Sequence, residues 1–327
     1  MNNGMENNSN LKGAIVEAVA FFDLFDYPLT LNEIWYNLGV KCELAEVMEA
    51  LASGIGAIEG RNGFYFLAGR GAIAAEKLGR YNFALRKFKR AALVARIFKF
   101  IPWIKLMAIG NLIGAQNLKD ESDIDFFIIT EAKRVWLTRW FCAGLAQLFG
   151  LRPGPGKMKD KICLSFFVSE NAMDLKELML NPPYPSLGLL GTGSLLKGAE
   201  RVDIYFIYWL AGLTPIYDRS GFYEQFMAAN SWLKNYLPNW QAKIRLAKRN
   251  VSPPTSFFYH DIIDLFFGGL EPWFKKFQLK IMPPKLKDLV NLDSRVVASD
   301  KVIKLHANDR RSEYREKYNR KIDQLSL

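Results

Sequence analysis

The sequence predicts an α+β protein, a central mixed sheet with helical regions before and after it. Three observations carry that prediction. Residues 11–67 show three amphipathic helical segments and then two short strands. Residues 101–168 alternate strand, helix and strand. From about Asp203 helical periodicity dominates, broken by loops at Pro238, Pro253-Pro254 and Pro283-Pro284. Elements segregated in this way belong to α+β architectures. A chain of 327 residues exceeds one typical compact core, so several domains are expected. The expected divisions are a disordered tail at 1–10, a first domain at 11–70, a basic helical connector at 71–100, a sheet domain at 101–200 and a helical C-terminal region at 201–327.

Taken in order, the tail "MNNGMENNSN" is polar and lacks the basic and apolar regions of a signal peptide. "LKGAIVEAVAFFDLF" has apolar residues at helical spacing, and Pro28 disfavours helix at Tyr27. Thr30 and Glu33 form a T-x-x-E capping box opening "LNEIWYNL". "CELAEVMEALASG" is a third helix, closed by Gly54. Asn62-Gly63 within "GAIEGRNGFYFLAG" is the strongest short-range hairpin signal. Three helices and a hairpin is the order of a winged-helix domain. Its third helix would read DNA, yet here it carries Glu43, Glu46 and Glu49 against Lys41. That composition suits packing or protein contact better than a phosphate surface.

Residues 72–100 are helical and basic. Between Gly69 and Lys105 stand ten Lys or Arg and one acid, Glu76, so this segment holds nine of the eleven net positive charges. Such a block attracts polyphosphate or nucleic acid, or else forms a solvated helix face. "WIKLMAI" then reads as a strand, followed by a turn at Gly110 and a short helical bridge. "SDIDFFIIT" is a second strand, "AKRVWLTRWFCAGLAQLFG" an amphipathic helix, "RPGPGKMKD" a loop and "KICLSFFVS" a third strand.

Composition excludes several classes. Half the residues are hydrophobic and 14% aromatic, which excludes a disordered chain. The longest apolar run, "AALVARIFKFIPWIKLMAIG", is interrupted by Arg96, Lys99 and Lys105, so no spanning helix and no membrane partner is expected. Cys42, Cys142 and Cys163 have no CxxC spacing, and the only histidines are His260 and His306. A disulfide framework, a zinc site and a histidine triad are all disfavoured, and a cytoplasmic protein is expected.

The segment "AIGNLIGAQNLKDESDIDFFIIT" concentrates the chemistry. Strand side chains alternate faces, so Asp123 and Asp125 point one way while Ile124, Phe126 and Ile128 point the other. Adjacent carboxylates repel unless water or a cation screens them. Magnesium is commonly held by one or two carboxylates together with substrate phosphates. A glycine turn shortly before the pair lets backbone approach an anion closely.

These residues resemble the nucleotidyltransferase superfamily related to DNA polymerase beta: Gly110-Asn111, a spacer, then Asp123-Ile124-Asp125 leading into an apolar strand. "FFDLFDYPLTLNEIW", "GFYFLAGR", "VWLTR" and "AANSWLKNYLPN" further resemble bacterial nucleotidyltransferase domain-containing proteins with an N-terminal winged helix. The resemblance implies that the central mixed sheet has the nucleotidyltransferase fold. It implies that Asp123 and Asp125 are catalytic and hold Mg²⁺ (or Mn²⁺) on a nucleoside triphosphate, with Gly110 and Asn111 cradling phosphates. Lys119, Arg134, Arg139 and Lys161 are candidate phosphate-neutralising cations. The implied reaction moves a nucleoside monophosphate to an acceptor hydroxyl and releases pyrophosphate. The alternative is a non-catalytic nucleotide sensor that engages nucleic acid or a protein partner through the winged helix and the basic segment 69–105. Two departures stand out: Asn111 replaces the family's usual serine, and the third strand has Cys163 and Ser165 where active members place a third carboxylate. Asp160, Glu170, Asp174 and Asp203 are the candidate substitutes.

Other features have simpler readings. "HANDR" at 306–310 reads as capping and surface pairing, His260 as a packing residue and Cys163 as a small buried hydrophobe. "NSWLKNYLPNW" and "LEPWFKKFQLKIM" read as core helices with snorkelling lysines rather than base-stacking or membrane surfaces. "GTGSLLKG" lacks P-loop spacing.

Overall fold

Helices α1 (Asn2–Asp23), α2 (Leu31–Tyr36) and α3 (Leu44–Ala52) and the hairpin β1 (Ile58–Arg61)–β2 (Phe64–Leu67) open the chain. The computed structural model describes residues 2–110, 120–154, 156, 158–180, 202–242, 250–254 and 259–325, with side chains from residue 8 onward. Residues 2–10, expected as a tail, are instead the first turns of α1: no proline interrupts the run into its apolar half. The capping box forms as its spacing requires, with Glu33 N donating to Thr30 Oγ1 (3.3 Å) and Thr30 N to Glu33 Oε2 (2.8 Å). Asn62 and Gly63 both take positive φ, +53° and +77°, as a type I′ hairpin turn needs. Leu29 pairs with Tyr65 and ties the α1–α2 connection to the hairpin.

The central sheet has six strands among the described residues: β3 (Ile104–Ile109), β4 (Ile124–Thr130), β5 (Ile162–Ser169), β6 (Thr214–Asp218), β7 (Val296–Ala298) and β8 (Val302–Leu305). Their order is β6-β3-β4-β5-β8-β7. Only β4 and β5 pair in parallel, with α5 (Val135–Leu148) between them in the chain. The region from residue 201, expected to be mostly helical, therefore supplies three of these strands. Two of them, β6 and β7, lie at the sheet's edges, and β6 contains Pro215, tolerated there because an edge strand has an unpaired side.

Seven further helices complete the described chain: α4 (Ala72–Phe98), α6 (Ile204–Gly212), α7 (Phe222–Ala229), α8 (His260–Phe267), α9 (Glu271–Lys280), α10 (Pro284–Lys287) and α11 (Arg311–Gln324). The sheet separates two apolar layers. Leu106, Ala108, Phe127 and Ile129 face α1–α3, α6, α7 and α11. Met107, Ile109, Ile124, Phe126 and Ile128 face α4, α5 and α9. The first layer is continuous with the N-terminal unit: Phe21 packs on Tyr208 (ring centroids 4.5 Å apart) and on Tyr318 (5.9 Å). Asn239 accepts from Cys42 N (3.2 Å) and donates to Val40 O (2.8 Å). The first 70 residues thus share a core with the sheet.

The basic segment is largely engaged within the molecule. Arg70 pairs with Asp23 and Asp26, Lys77 with Glu33, Arg80 with Glu76, Arg86 with Asp120 and Asp160, Lys87 with Asp160, and Lys105 with Glu131. Lys77 and Lys87 are buried outright. Among the described residues, no helix is long and apolar enough to cross a membrane.

Candidate metal centre

The face of β4 opposite Ile124 and Phe126 carries Asp125, with Asp123 just before the strand. In the parallel register Asp125 stands opposite Cys163 of β5. One donor atom from each of Asp123, Asp125 and Cys163 lies within 4.8 Å of the other two. The third group beside the aspartates is thus a thiol, and Cys163 is partly exposed toward them rather than an inert core residue. The four acids considered as substitutes are engaged elsewhere. Asp160 pairs with Arg86 and Lys87, and Glu170 accepts from Ala132 N (3.0 Å). Asp174 accepts from Trp232 Nε1 (3.0 Å), and Asp203 caps α6 while pairing with Arg311 (2.8 Å).

Helix α4 positions the aspartates from behind. Lys87 donates to Ser122 O and pairs with Asp160 Oδ1 (3.1 Å), and Arg86 bridges Asp120 (2.6 Å) and Asp160 (2.9 Å). Asp160 N in turn donates to Ser122 O (3.2 Å), so the two loops leading into β4 and β5 are fastened to one helix. Burial pushes the Asp125 carboxyl up to about 7, and the neighbouring Asp123 adds to the rise. Burial also raises Asp123, and it pushes the Cys163 thiol well above its ordinary value, with Asp125 acting in the same direction. A cation bound between the two carboxyls would favour their ionised forms and displace these protons.

A cavity of about 220 Å³ opens beside Asp125. Gly110, Phe166 and Trp209 line it next to the aspartate, and Tyr205, Tyr314, Lys304, His306 and the 308–311 segment line the remainder. Gly110 N donates to Asp125 O (2.9 Å), so this amide is committed to the sheet and does not point at a phosphate. Gly110 contributes space instead: a Cβ there would lie 3.3 Å from Trp209 Nε1.

The segment read as surface pairing, "HANDR", is part of this cavity. His306 Nε2 lies 2.9 Å from Ser165 Oγ, which accepts from Cys163 Sγ at 3.3 Å, so a polar chain runs from the metal-ligand cluster to the cavity wall. Burial lowers His306 to about 4, which makes it a neutral imidazole at pH 7. Lys304, lowered by burial to about 8, pairs with Asp309 (2.9 Å). Arg311 binds Asp309 (2.7 Å) and Asp203 (2.8 Å), and these cations hold Asp309 well below the usual carboxylate range. Strand β8 carries Lys304, with His306 directly after it; the alternation of Val302, Lys304 and His306 with Ile303 and Leu305 is the one local signal for it, and the run is too short to stand out.

Among the described residues, none of the predicted cations lines the cavity. Arg139 sits on α5, in the layer on the other sheet face, and donates to Gln278 Oε1 (2.6 Å). Lys161 donates to Gly150 O (2.5 Å), and Arg134 pairs with Asp264 (2.6 Å). Asn111 and Lys119 lie outside the described residues. No protein-family model, curated protein sequence or solved structure matches this chain.

Proposed function

We propose that this chain is a metal-dependent nucleotidyltransferase that moves a nucleoside monophosphate from a nucleoside triphosphate to an acceptor hydroxyl. The observation that carries this reading is the Asp123–Asp125 pair, two donors converging with Cys163 at the edge of a cavity open to solvent. The two carboxylates fit a divalent cation, supplying hard oxygen ligands for Mg²⁺ or Mn²⁺, while the protonated Cys163 thiol beside them is a poor ligand for either. The bound cation would neutralise triphosphate charge and stabilise the oxygens of the displacement. Asp123 and Asp125 hold the site, and the Arg86–Asp160–Lys87 clamp fixes their approach. Trp209, Tyr205 and Tyr314 give the cavity beside Asp125 an aromatic wall against which a base or sugar could pack. We read the N-terminal helices and hairpin as a winged-helix unit whose acidic α3 serves protein contact rather than DNA reading.

One observation favours a second reading, nucleotide binding without turnover: Cys163 stands where a third carboxylate would activate the acceptor hydroxyl. Incubation with Mg²⁺ and α-labelled nucleoside triphosphates over a panel of hydroxyl acceptors separates the two. Turnover is expected in the natural protein and should fall by about 10²–10³-fold in Asp125→Asn, the loss typical of one transition-state electrostatic partner. Labelled nucleotide that binds but is never transferred, with transfer appearing in Cys163→Asp, would establish the sensor reading. Transfer unchanged in Asp125→Asn would remove the site from the chemistry.

A further inference from the structure

We propose that the face formed by α8 and α9 docks on an anionic lipid surface. Ile262, Leu265 and Phe266 of α8 are 56%, 82% and 69% exposed, at the i, i+3, i+4 spacing of a single helical face. No residue of α8 is buried. Leu270 and Trp273, 42% and 54% exposed, continue the apolar surface into α9. The outer face of α9 then reads Trp273, Lys276, Phe277, Lys280, with Ile281 following, at i, i+3, i+4, i+7 and i+8. Trp273 stacks on Phe277 (5.4 Å between centroids, 11° between planes), so the ring is held in place at the surface.

The inner face of α9 anchors this platform. Phe274 and Gln278 are buried, and Gln278 joins Arg139 (2.6 Å) and Trp136 O (2.8 Å) of α5. The α9 segment was expected to be a core helix with lysines reaching outward; Phe274 does face the core, yet Trp273 is exposed.

Charge selects the occupant. Residues 271–290 contain Lys275, Lys276, Lys280, Lys285 and Lys287 against Glu271 and Asp288. Glu271 is turned inward, accepting from Trp136 N (2.9 Å) and Leu137 N (2.8 Å), and Lys275 pairs with Asp300 (2.7 Å). On α8, Asp264 is bound by Arg134 and Trp103, while Asp261 touches His260 (2.9 Å) and keeps an exposed carboxylate at the start of that helix, away from the lysines of α9 in sequence. The outward surface of α9 is therefore aromatic and cationic. Lysine is depleted from the cores of protein interfaces, and a two-fold contact of this face with a second copy would bring like charges together. Trp and Phe rings at headgroup depth with ammonium groups on lipid phosphate are the pattern of an interfacial helix.

Flotation of the full chain with vesicles tests this, using phosphatidylcholine alone and phosphatidylcholine mixed with phosphatidylserine. The protein should float with the mixed vesicles only, and lose that association in high salt. Lys276→Ala and Lys280→Ala should each weaken binding about fivefold. A Phe266→Asn/Trp273→Ala double variant should not float, while its far-ultraviolet circular dichroism stays unchanged because both side chains are exposed. Failure of the natural protein to float at low salt would overturn the proposal, as would flotation undiminished in the variants. A concentration-dependent dimer in analytical ultracentrifugation that the double variant abolishes would assign the face to a second copy instead.

Discussion

Asp125 meets Cys163 because strand alternation sets its face and parallel register sets its partner. The first was legible in the sequence and the second was not, since register depends on residues far apart in the chain. His306 shows the same limit: 141 positions separate it from the Ser165 hydroxyl it contacts. Its protonation gives a testable pH dependence. The folded value of about 4 lies below the ordinary 6.5, so the unfolded chain binds more protons between those limits. Stability contributed by this residue is present above about pH 6.5 and is lost as pH falls toward 4, by about 3 kcal/mol at most. Replacing His306 with Gln should flatten that part of the stability curve in urea titrations run from pH 4 to 7; an unaltered slope would show that other groups set it. Gly110→Ala should cost about 1 kcal/mol, because the new methyl crowds the Trp209 indole, and the loss should vanish in a Trp209→Phe background.

At the level of elements, strong local signals translated directly. The capping box at Thr30 and the Asn62-Gly63 turn are short-range devices that need no tertiary partner, and both form. Strands β3, β4 and β5 and helix α5 follow their periodic patterns. The strands missed were β6, β7 and β8, of five, three and four residues, too short for alternation to stand out from a helical background. Helix α4 was legible as a helix but not as a scaffold. Its positive charge suggested an external anion or a solvated face, yet its buried lysines serve internal carboxylates and carbonyls. Lys87→Met should therefore destabilise the fold by about 3 kcal/mol, near the low end for breaking a buried pair because Arg86 still holds Asp160. Guanidinium titration of the variant checks this, and a change within ±0.5 kcal/mol would show that the clamp contributes little.

For the whole molecule, the shared core makes the divisions expected from sequence inseparable in energy. Helix α11 packs against α1 through Tyr318 and Phe21 and through the Lys321–Asp23 pair. Removal of residues 311–327 would expose Phe21 and Tyr208 and remove Arg311 from Asp203. The truncated chain should lose cooperative unfolding, while the intact chain shows coincident transitions by tryptophan fluorescence and circular dichroism. Two well-separated transitions in the intact chain would show that the N-terminal unit is independent.

The central claim is that Asp123 and Asp125 together hold a metal–triphosphate, which both functional readings require. Its most direct test is calorimetric titration of a non-hydrolysable nucleoside triphosphate into the protein, with Mn²⁺ present or removed by chelation. Binding should depend on Mn²⁺ and disappear in the Asp123→Asn/Asp125→Asn variant. Binding of equal affinity without the metal, or unchanged in the variant, would contradict the account.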